Sequence, residues 1–374
     1  MNGCHLISIR DLTNADMLAL FEHAHEFASL TRRRLDLARE AVMATLFYEP
    51  STRTRMSFEA AMLRLGGQVI SMADPHASSA VKGETLADTV RIVDSYADLI
   101  VLRHPREGAA KVAADFACVP VINAGDGARE HPTQTLLDLY TILKEKGRLD
   151  GITVALCGDL KHGRTVHSLA QALARFGARM LCVAPRGLEL PAPLQRALTT
   201  VYGAEIDHFA TLESAPLDQC DALYVTRIQK ERFADPVEFE QMRSSYQVSR
   251  RTLDRVRPDT IVLHPLPRVD ELDFSLDGDP RAAYFRQAAY GVPVRMALVA
   301  VLLGLRTLPD MRQGASEEER RWHAQPADLR FSCANVRCIT NAEPGIPPVA
   351  QARHDGARRC AYCEALQEVV CLTS

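Results

Sequence analysis

The segment VMATLFYEPSTRTRMSFE, residues 42–59, joins a predicted strand directly to a predicted helix. Residues 42–47 form a short apolar run with the composition of a buried strand, and apolar side chains recur at helical spacing from Phe58 onward. Three hydroxyl groups and two guanidinium groups crowd into residues 51–55 between the two patterns. A strand followed at once by a helix is the building unit of an α/β protein, and here a turn suited to anions connects the two.

The same strand-then-helix pattern is repeated along the chain. Further short apolar runs occur at residues 68–73, 98–102, 119–124, 152–158, 180–185, 222–226 and 260–265. Amphipathic helical patterns separate them, which is typical of parallel sheets covered by helices on both faces. Eight strands could form one large sheet, a barrel or two smaller sheets. The long helical stretch at 132–147 favours two doubly wound α/β domains, because it could bridge two sheets.

Composition limits the classes of function. The chain has 374 residues, 47% of them hydrophobic and 24% charged, and its formal net charge of −3 gives no general attraction to nucleic acid. The first residues lack the basic and apolar regions of a signal peptide. The longest apolar run, 296–305, is much shorter than the roughly 20 residues that cross a bilayer. We therefore expect a cytoplasmic protein that binds neither nucleic acid nor a membrane.

Basic and amide side chains follow most of the predicted strands. Ligands of open α/β sheets bind beyond the carboxyl ends of the strands, so these side chains indicate a small ligand with several negative charges. The turn Ser51, Thr52, Arg53, Thr54 is the densest group. Unpaired amides at a helix start attract anions, hydroxyls add short donors, and Arg53 adds a bidentate fork suited to phosphate. Simple N-capping would require one hydroxyl and no arginine.

Other strand ends supply further candidates. His131 and Gln134 lie one turn apart at the start of a predicted helix, so both could reach one ligand oxygen. Arg103 ends another predicted strand. Ser78 and Lys82 lie in a loop of small residues, where a lysine is by default a solvated surface residue.

A second group of polar side chains suits a dicarboxylic ligand. Arg164 lies where a helix begins after one predicted strand, while Arg227 and Gln229 share one side of an extended segment after another. Two guanidinium groups could hold the two carboxylates of a dicarboxylic amino acid. The turn at 158–165 is not a G-x-G-x-x-G fingerprint, so dinucleotide binding is not indicated.

The cysteines fall into two classes. Four of the ten form two close pairs near the C-terminus, Cys333-x4-Cys338 and Cys360-x2-Cys363. Four thiolates at this spacing predict a tetrahedral structural zinc site with one ion per chain. Disulfides are the alternative, which a cytoplasmic location disfavours. Five isolated cysteines are interpreted as buried, inert thiols: Cys4, Cys118, Cys157, Cys182 and Cys220. The tenth, Cys371, follows the two pairs alone.

Seven motifs together resemble those of aspartate carbamoyltransferase catalytic chains. They are FYEPSTRTRMSFE (47–59), SSAVKGETLADT (78–89), LRHPREGAA (102–110), NAGDGAREHPTQTLLDLYTI (123–142), GDLKHGRTVHSL (158–169), TRIQKER (226–232) and LHPLPRVDE (263–271). The similarity runs from about residue 5 to residue 308. The tail, with CANVRCITNAEP at 333–344 and RRCAYCE at 358–364, resembles the zinc domain of the regulatory chain of that enzyme. The resemblance implies a natural fusion of a catalytic chain with a zinc domain.

This resemblance implies a fold and its boundaries. The implied fold has two doubly wound parallel-sheet domains, the carbamoyltransferase fold, followed by a small zinc-binding β domain. A carbamoyl phosphate domain would comprise 1–132 and 287–307, with an aspartate domain at 133–286. A linker at 308–328 would lead to the zinc domain at 329–374. This linker leaves no room for the nucleotide-binding domain of a regulatory chain, which argues against nucleotide control through such a domain.

The reaction implied is the transfer of a carbamoyl group from carbamoyl phosphate to L-aspartate, without a cofactor in catalysis. It gives N-carbamoyl-L-aspartate and phosphate, the committed step toward pyrimidines. The residues implied for carbamoyl phosphate are Ser51, Thr52, Arg53, Thr54, Ser78, Arg103, His131, Gln134, Leu266 and Pro267. Those implied for aspartate are Lys82, Arg164, Arg227 and Gln229. The implied catalytic residues are Arg53, Thr54, Lys82, Arg103 and His131.

The resemblance also implies an assembly. Ser78 and Lys82 match residues that members of this family lend to the site of a neighbouring subunit. A homotrimer with shared active sites is therefore expected, from which larger assemblies of trimers could form. Glu49 and Arg232 are expected to contribute interdomain ion pairs in a closed state.

Two alternatives remain at the level of function. Ornithine carbamoyltransferase shares the STRTR and HP-x-Q elements, but it uses an HCLP strand end and an SMG-type ornithine motif. Here the strand end is HPLP (264–267), and Arg227 with Gln229 suits a carboxylate better than a cationic side chain. The other alternative is a non-catalytic scaffold with the same fold, against which we note that no site position is lost.

Overall fold

The computed structural model of the chain describes residues 5–30, 34–72, 82–228, 246–310, 332–352 and 358–367. The chain divides into two compact units. The first comprises Met1–Pro132 and Arg295–Ser374, and the second comprises Thr133–Val294.

The first unit contains a four-stranded parallel sheet in the order β2-β1-β3-β4. Its strands are β1 (Val42–Phe47), β2 (Gln68–Met72), β3 (Leu99–His104) and β4 (Val121–Asp126). Its helices are α1 (Asn14–Ser29), α2 (Thr52–Leu65), α3 (Leu86–Asp94) and α4 (Ala109–Phe116). The register pairs Phe47 with Arg103 and His104 with Asp126, so β1, β3 and β4 end at one edge of the sheet.

The second unit contains a five-stranded parallel sheet in the order β7-β6-β5-β8-β9. Its strands are β5 (Thr153–Cys157), β6 (Arg179–Val183), β7 (Ile206–Phe209), β8 (Ala222–Val225) and β9 (Ile261–Leu263). The helices that begin at its boundary or within it are α5 (Pro132–Lys146), α6 (Arg164–Arg175), α7 (Ala192–Tyr202), α8 (Arg250–Leu253) and α9 (Tyr284–Leu302). The sheet interior is apolar on both faces, as expected where helices cover a parallel sheet.

The described tail, residues 332–352 and 358–367, is here called the cysteine module. It carries a small antiparallel sheet in the order β10-β11-β12, formed by β10 (Ala350–Ala352), β11 (Arg358–Cys360) and β12 (Leu366–Gln367). Short 3-10 helices lie at Ile9–Asp11, Leu217–Gln219, Phe274–Gly278 and Ile339–Asn341. The module belongs to the first unit and shares a continuous apolar core with α3, α4 and the sheet of that unit.

Most of the expected architecture is confirmed. The predicted parallel α/β sheets are present, and the eight apolar runs correspond to β1–β6, β8 and β9. The sequence did not predict β7, a four-residue edge strand in which Asp207 and His208 interrupt the apolar pattern. No helix among the described residues is both long and apolar enough to span a bilayer.

One interpretation of the cysteines was wrong. Cys157, Cys182 and Cys220 are buried, as expected, but Cys118 is exposed. It lies in the loop between α4 and β4, where its N–H donates to Asp94 Oδ1 at 2.7 Å. The apolar residues that follow it begin the strand only at Val121, so the sequence run extends beyond the buried element. Cys4 lies outside the described residues.

Candidate active site

The turn after β1 places hydrogen-bond donors at the start of α2. Ser51 is the N-cap residue, yet its side chain makes no capping hydrogen bond to the helix amides in the described chain. Thr52 and Arg53 are exposed, whereas Thr54 is buried. The amides of the first helical turn have no partner within the helix, and the helix dipole adds positive potential there. The turn therefore presents hydroxyl and amide donors together with a guanidinium group, which is the chemistry of a phosphate site.

The second arginine of this turn, Arg55, pairs with a carboxylate of its own helix. Arg55 Nε lies 3.6 Å from Glu59 Oε1, one helical turn later. The same carboxylate oxygen accepts from Ser71 Oγ at 2.9 Å and from Thr45 Oγ1 at 3.3 Å. Arg55 is thus tied to a polar group that joins α2 to β1 and β2, and Arg53 is the guanidinium that faces solvent. The phosphate role expected of Arg53 stays a prediction.

Arg103 ends β3 beside the same turn. Its carbonyl oxygen accepts from the Tyr48 N–H at 2.8 Å, which fixes the turn to the strand. The nearly buried guanidinium donates from Nη1 to the Ala124 carbonyl oxygen at 3.3 Å, and its Nε lies 3.2 Å from Glu49 Oε2. The register of β1 on β3 therefore brings Arg103 to the edge of the sheet where residues 51–54 lie.

His104 shapes the loop after β3. Its Nδ1 accepts from the Arg106 N–H at 3.0 Å, and its ring centroid lies 4.9 Å from that of Tyr48. Burial, and then the nearby charge of Arg106, lower the pKa of His104 to about 4. At neutral pH the ring is therefore uncharged and serves as a hydrogen-bond acceptor, while the neighbouring Arg103 carries the charge.

His131 follows a loop that is held by one buried carboxylate. We call residues 126–131 the His131 segment. Asp126 accepts from Asn123 Nδ2 at 3.2 Å and from the Gly108 N–H at 3.0 Å. Burial raises the pKa of Asp126 to about 6. The segment ends at the buried His131, directly before α5, at the edge of the sheet where β4 ends.

Gln134 is held by a carboxylate one turn further along α5. Its Nε2 donates to Asp138 Oδ1 at 2.8 Å. Asp138 is fully buried and also accepts from Gln287 Nε2 at 2.6 Å and from the Tyr224 hydroxyl at 2.9 Å. A buried carboxylate that accepts from three donors fixes each of them in one position.

The same network reaches the turn after β9. Gln287 Oε1 accepts from the His264 N–H at 2.8 Å, and His264 Nδ1 accepts from the Leu266 N–H at 2.8 Å. His264 Nε2 lies 2.7 Å from Glu271 Oε1. The Leu266 N–H is used within the turn. The carbonyl oxygens of Leu266 and Pro267 are therefore the backbone groups with which these two residues can bind a ligand. Carbonyl oxygens accept from an amide NH2 group, which is the role expected of these two residues.

Arg164 and Arg227 lie on loops that follow neighbouring strands. Arg164 is the first residue of α6, after β5, and Arg227 follows β8; β5 and β8 pair directly. The two loops approach closely at Gly158, where an added Cβ would lie 2.3 Å from the Thr226 carbonyl oxygen. Both arginines are half-buried. The predicted pair therefore belongs to adjacent loops of one unit, whereas Gln229 lies outside the described residues.

The loop expected to serve a neighbouring subunit is described only in part. Lys82 is exposed, a few residues before α3, and Ser78 lies outside the described residues. In the first unit, strand register brings Arg103 to the turn at 51–54.

Several residues of this network were not predicted. Asp138 lies four residues after Gln134, so helical spacing gave a signal for it. Gln287 is separated from Asp138 by 149 positions, and no local pattern points to it. Glu49 was expected to act in a closed state together with Arg232. In the structure Glu49 pairs with Arg103, and Arg232 lies outside the described residues.

The four predicted metal-ligand cysteines lie together. All four are buried, and their Sγ atoms lie within 4.8 Å of one another: Cys333, Cys338, Cys360 and Cys363. The Cys333 and Cys363 sulfurs are 3.4 Å apart, and those of Cys338 and Cys360 are 3.8 Å apart. Both distances exceed the roughly 2.05 Å of a disulfide bond. A tetrahedron of thiolates with metal–sulfur bonds of about 2.3 Å has sulfur–sulfur edges of about 3.8 Å, which this cluster fits.

Comparison with known proteins agrees with this arrangement. The family model "Aspartate/ornithine carbamoyltransferase, carbamoyl-P binding domain" matches residues 4–144, and "Aspartate/ornithine carbamoyltransferase, Asp/Orn binding domain" matches residues 150–302. The aspartate carbamoyltransferase catalytic subunit of Methanopyrus kandleri is 53% identical over 301 residues, which cover 80% of this chain and 97% of that protein.

Solved structures agree as well. The catalytic subunit of M. jannaschii aspartate transcarbamoylase superposes with a TM-score of 0.76 at 49% identity, covering 81% of this chain and 98% of that one. Aspartate transcarbamoylase from Trypanosoma cruzi, in complex with N-(phosphonacetyl)-L-aspartic acid, superposes with a TM-score of 0.75 at 42% identity. The match covers 82% of this chain and 97% of that one. The two family models, the close relatives and the shared fold lead to one conclusion: this chain belongs to the aspartate/ornithine carbamoyltransferase family.

Proposed function

We propose that this chain is an aspartate carbamoyltransferase, which transfers the carbamoyl group of carbamoyl phosphate to the amino group of L-aspartate. The observation that carries the proposal is the edge of the first sheet, where the uncapped start of α2 meets the guanidinium of Arg103. Relatives that are about half identical over nearly their whole length are aspartate carbamoyltransferase catalytic subunits. The products would be N-carbamoyl-L-aspartate and phosphate, at the start of pyrimidine synthesis.

The chemistry requires positioning and charge stabilisation rather than a covalent nucleophile. The neutral amine of aspartate attacks the carbonyl carbon, a C–N bond forms through a tetrahedral oxyanion, and the C–O bond to phosphate breaks. Phosphate leaves with the electron pair, and the amine loses a proton. Donors aimed at the developing oxyanion and a cation beside the leaving phosphate are the groups that lower such a barrier. The reaction requires no cofactor.

Carbamoyl phosphate has the larger set of proposed ligands. Its phosphate is held by Ser51, Thr52, Arg53 and Thr54, with Ser78 of a neighbouring chain. Thr54, Arg103 and His131 donate to the carbonyl oxygen as its charge grows. Gln134 and the carbonyl oxygens of Leu266 and Pro267 orient the carbamoyl NH2 group. The fixed positions of Gln134 and the turn at 264–267 support this assignment, because Gln134 donates directly to Asp138 and the turn is tied to Asp138 through Gln287.

Aspartate is the proposed acceptor because of the charges available to it. Arg164, Arg227 and Gln229 would hold its two carboxylates, and Lys82 would complete the site from a neighbouring chain. Ornithine carries a second amine where aspartate carries a carboxylate, so a pair of arginines disfavours it. We assign carbamoyl phosphate to residues 1–132 with residues 287–307, and aspartate to residues 133–286.

A colorimetric assay of carbamoyl amino acids tests the proposal directly. Purified protein with carbamoyl phosphate should carbamoylate L-aspartate and leave L-ornithine unchanged. Carbamoylation of ornithine alone would support the ornithine alternative, and no product with either acceptor would support a non-catalytic scaffold.

We also propose that the cysteine module binds one structural zinc ion per chain through its four thiolates. The module resembles the zinc domain of a regulatory chain, which residues 308–328 would link to the catalytic part. Bound zinc would hold the module together and take no part in the reaction. Mass spectrometry under native conditions should find one zinc per chain, and replacing Cys338 with serine should abolish that binding. A metal-free native chain would refute the zinc assignment.

Further, we propose a homotrimer as the functional form. Lys82 is exposed on the single chain, as expected of a residue that acts in a neighbour's site. Light scattering should give the mass of three chains or of a multiple of three. A stable, active monomer would contradict this assignment.

A further inference from the structure

The cysteine module lies directly against the loop that follows Arg103. At Gly108 the backbone φ is +87°, and an added Cβ would lie 2.7 Å from Tyr362 Cβ and 3.1 Å from the Cys363 nitrogen. Tyr362 and Cys363 are both buried. Only glycine combines this backbone conformation with so close an approach. The contact is therefore built into the first unit of the same chain.

Glu107 joins the module to that loop through three hydrogen bonds. Its N–H donates to the Arg337 carbonyl oxygen at 3.1 Å, and its carbonyl oxygen accepts from the Ile339 N–H at 3.0 Å. Its Oε2 accepts from Asn335 Nδ2 at 2.8 Å. Backbone hydrogen bonds in both directions form a parallel β-bridge between Glu107 and Cys338. The module is therefore joined to the backbone of the first unit four residues after Arg103.

Glu364 contacts the His131 segment on the other side of the module. Its Oε1 lies 2.8 Å from Arg129 Nη2, and Arg10 Nη2 donates to both of its carboxylate oxygens at 2.8 Å. The Arg129 side chain is 11% exposed. Its contacts to Asp126 and Glu130 are longer, at 3.7 Å each. The module thus supplies a shorter carboxylate contact to Arg129 than Asp126 or Glu130 does.

Glu364 is itself held in an unusual conformation. Its φ is +60°, in the left-handed region that residues with a side chain rarely adopt. Its N–H donates to the Cys360 carbonyl oxygen at 3.0 Å, within the turn that carries the second cysteine pair. The fold of the cysteine turn therefore determines where this carboxylate lies.

We propose that Glu364 is a positioning residue for the transfer reaction: through Arg129 it holds the His131 segment and so sets where His131 lies. Arg129 stands two positions before His131 in a segment that the buried Asp126 also holds. If the module had a purely structural role, each of its contacts, including those of Glu343 and Glu364, would stabilise the first unit to a similar extent. A positioning role acts on one segment. This inference rests on the proposed function, in which His131 donates to the carbonyl oxygen.

The chain offers a matched control. Glu343 is a second carboxylate of the module, and its Oε2 accepts from the Leu86 N–H at 2.6 Å at the start of α3. Glu343→Gln and Glu364→Gln are the same chemical change at two contacts of one module. Only the second contact reaches the His131 segment.

Hydrogen exchange and steady-state kinetics on the full-length, zinc-loaded chain test the proposal. In Glu364→Gln the amides of Gly127 and Arg129, which donate to His104 and Asp126 carbonyl oxygens, should exchange at least about 10-fold faster. The kcat should fall about 10- to 100-fold because His131 is misplaced, while the KM for carbamoyl phosphate changes little since the phosphate turn is untouched. Glu343→Gln should show faster exchange at Leu86 and a kcat within about twofold of the wild type.

Three results would overturn the proposal. They are unchanged exchange at 126–131 in Glu364→Gln, unchanged kcat in that variant, or equal loss of kcat in both variants. If Glu364→Gln does not fold, Arg129→Lys keeps the charge but loses the guanidinium nitrogen that lies 2.8 Å from Glu364 Oε1, and it should give the same two changes at smaller size. A wild-type chain without carbamoyltransferase activity would refute the proposed function instead, while the exchange data would still decide whether Glu364 holds the segment.

Discussion

Arg53 and Arg55 are two residues apart on α2, yet they occupy different environments. Arg55 faces Glu59 and the polar group that joins the helix to the sheet, while Arg53 faces solvent at the helix start. A two-residue separation turns side chains by roughly 200° around a helix, which explains the difference. The sequence STRTR shows two equivalent arginines, and only the structure separates the exposed one from the one that pairs with Glu59.

At the residue scale, Arg53→Ala should abolish most activity without unfolding the chain. Removing one preorganised donor beside developing charge costs about 10²–10³-fold in kcat. Arg64→Ala, an exposed arginine in the last turn of the same helix, is the matched control and should retain wild-type kinetics. Steady-state assays with thermal melts of both variants check this. Near-normal kcat in Arg53→Ala would remove Arg53 from the site.

At the scale of elements, the sequence predicted the strands and their order of appearance well. Apolar runs of five to seven residues identified eight strands, most of them buried, because the faces of parallel strands are covered by helices. The edge strand β7 was missed because Asp207 and His208 interrupt its apolar pattern. The contact between Asp138 and Gln287 could not be foreseen, because a long-range hydrogen bond leaves no trace in local spacing. The candidate residues were identified through motif resemblance, and their supporting contacts required the structure.

The network around Asp138 should couple stability to catalysis. In Asp138→Asn, three donors face an amide that can accept with one oxygen only, so unfolding free energy should fall by about 1–3 kcal/mol. Gln134 also loses its fixed position, so kcat/KM for carbamoyl phosphate should fall. Urea unfolding and steady-state kinetics measure the two effects.

Tyr224→Phe serves as the control for this network. It removes one donor to Asp138 without touching Gln134, so it should cost about 1 kcal/mol of stability and leave the kinetics unchanged. Wild-type kinetics in Asp138→Asn would show that Asp138 does not position Gln134.

The end of β3 should show a pH dependence of stability. Burial lowers the pKa of His104 to about 4 from its ordinary value of 6.5, so the unfolded chain binds a proton more readily than the folded one between these values. The contribution is fully present above pH 6.5 and is lost as the pH falls toward 4. Between pH 7 and pH 5 the wild type should lose about 2 kcal/mol more than His104→Gln.

The difference between the wild type and His104→Gln isolates the contribution of His104. His5, whose pKa burial also lowers to about 4, and Asp126, whose pKa burial raises to about 6, titrate in the same window in both. The effects of His5 and Asp126 on stability have opposite signs. Each is the same in the wild type and in the variant, so both drop out when the two pH profiles are subtracted. Denaturant unfolding at several pH values gives the measurement, and parallel pH profiles for wild type and variant would contradict a neutral, buried His104.

At the scale of the whole molecule, the sequence indicated a zinc module but not where it lies. Its contacts join positions as distant as Arg10 and Glu364, which are separated by 354 residues. Such contacts depend on tertiary packing and have no local signature. The structure shows that the module packs against the first unit of its own chain, which gives a separate sequence element direct contact with loops near Arg103 and His131.

Shared sites in a trimer predict that two inactive variants restore each other. A site that takes Arg53 from one chain and Lys82 from its neighbour is intact where an Arg53→Ala chain donates Lys82 to a Lys82→Ala chain. Random mixing of the two variants should make about a quarter of the sites intact. Dissociating and reassembling a mixture, followed by activity assay, measures this. No gain in activity over the separate variants would show that Lys82 serves its own chain.

The central claim is that residues 51–54, Arg103 and His131 hold carbamoyl phosphate while Arg164 and Arg227 hold the carboxylates of aspartate. A crystal structure of the chain with N-(phosphonacetyl)-L-aspartic acid, which combines both substrates in one molecule, tests it most directly. We predict that the phosphonate lies at the start of α2 and the two carboxylates lie against the two arginines, with Lys82 supplied by a neighbouring chain. Electron density for the inhibitor away from these side chains would contradict the assignment.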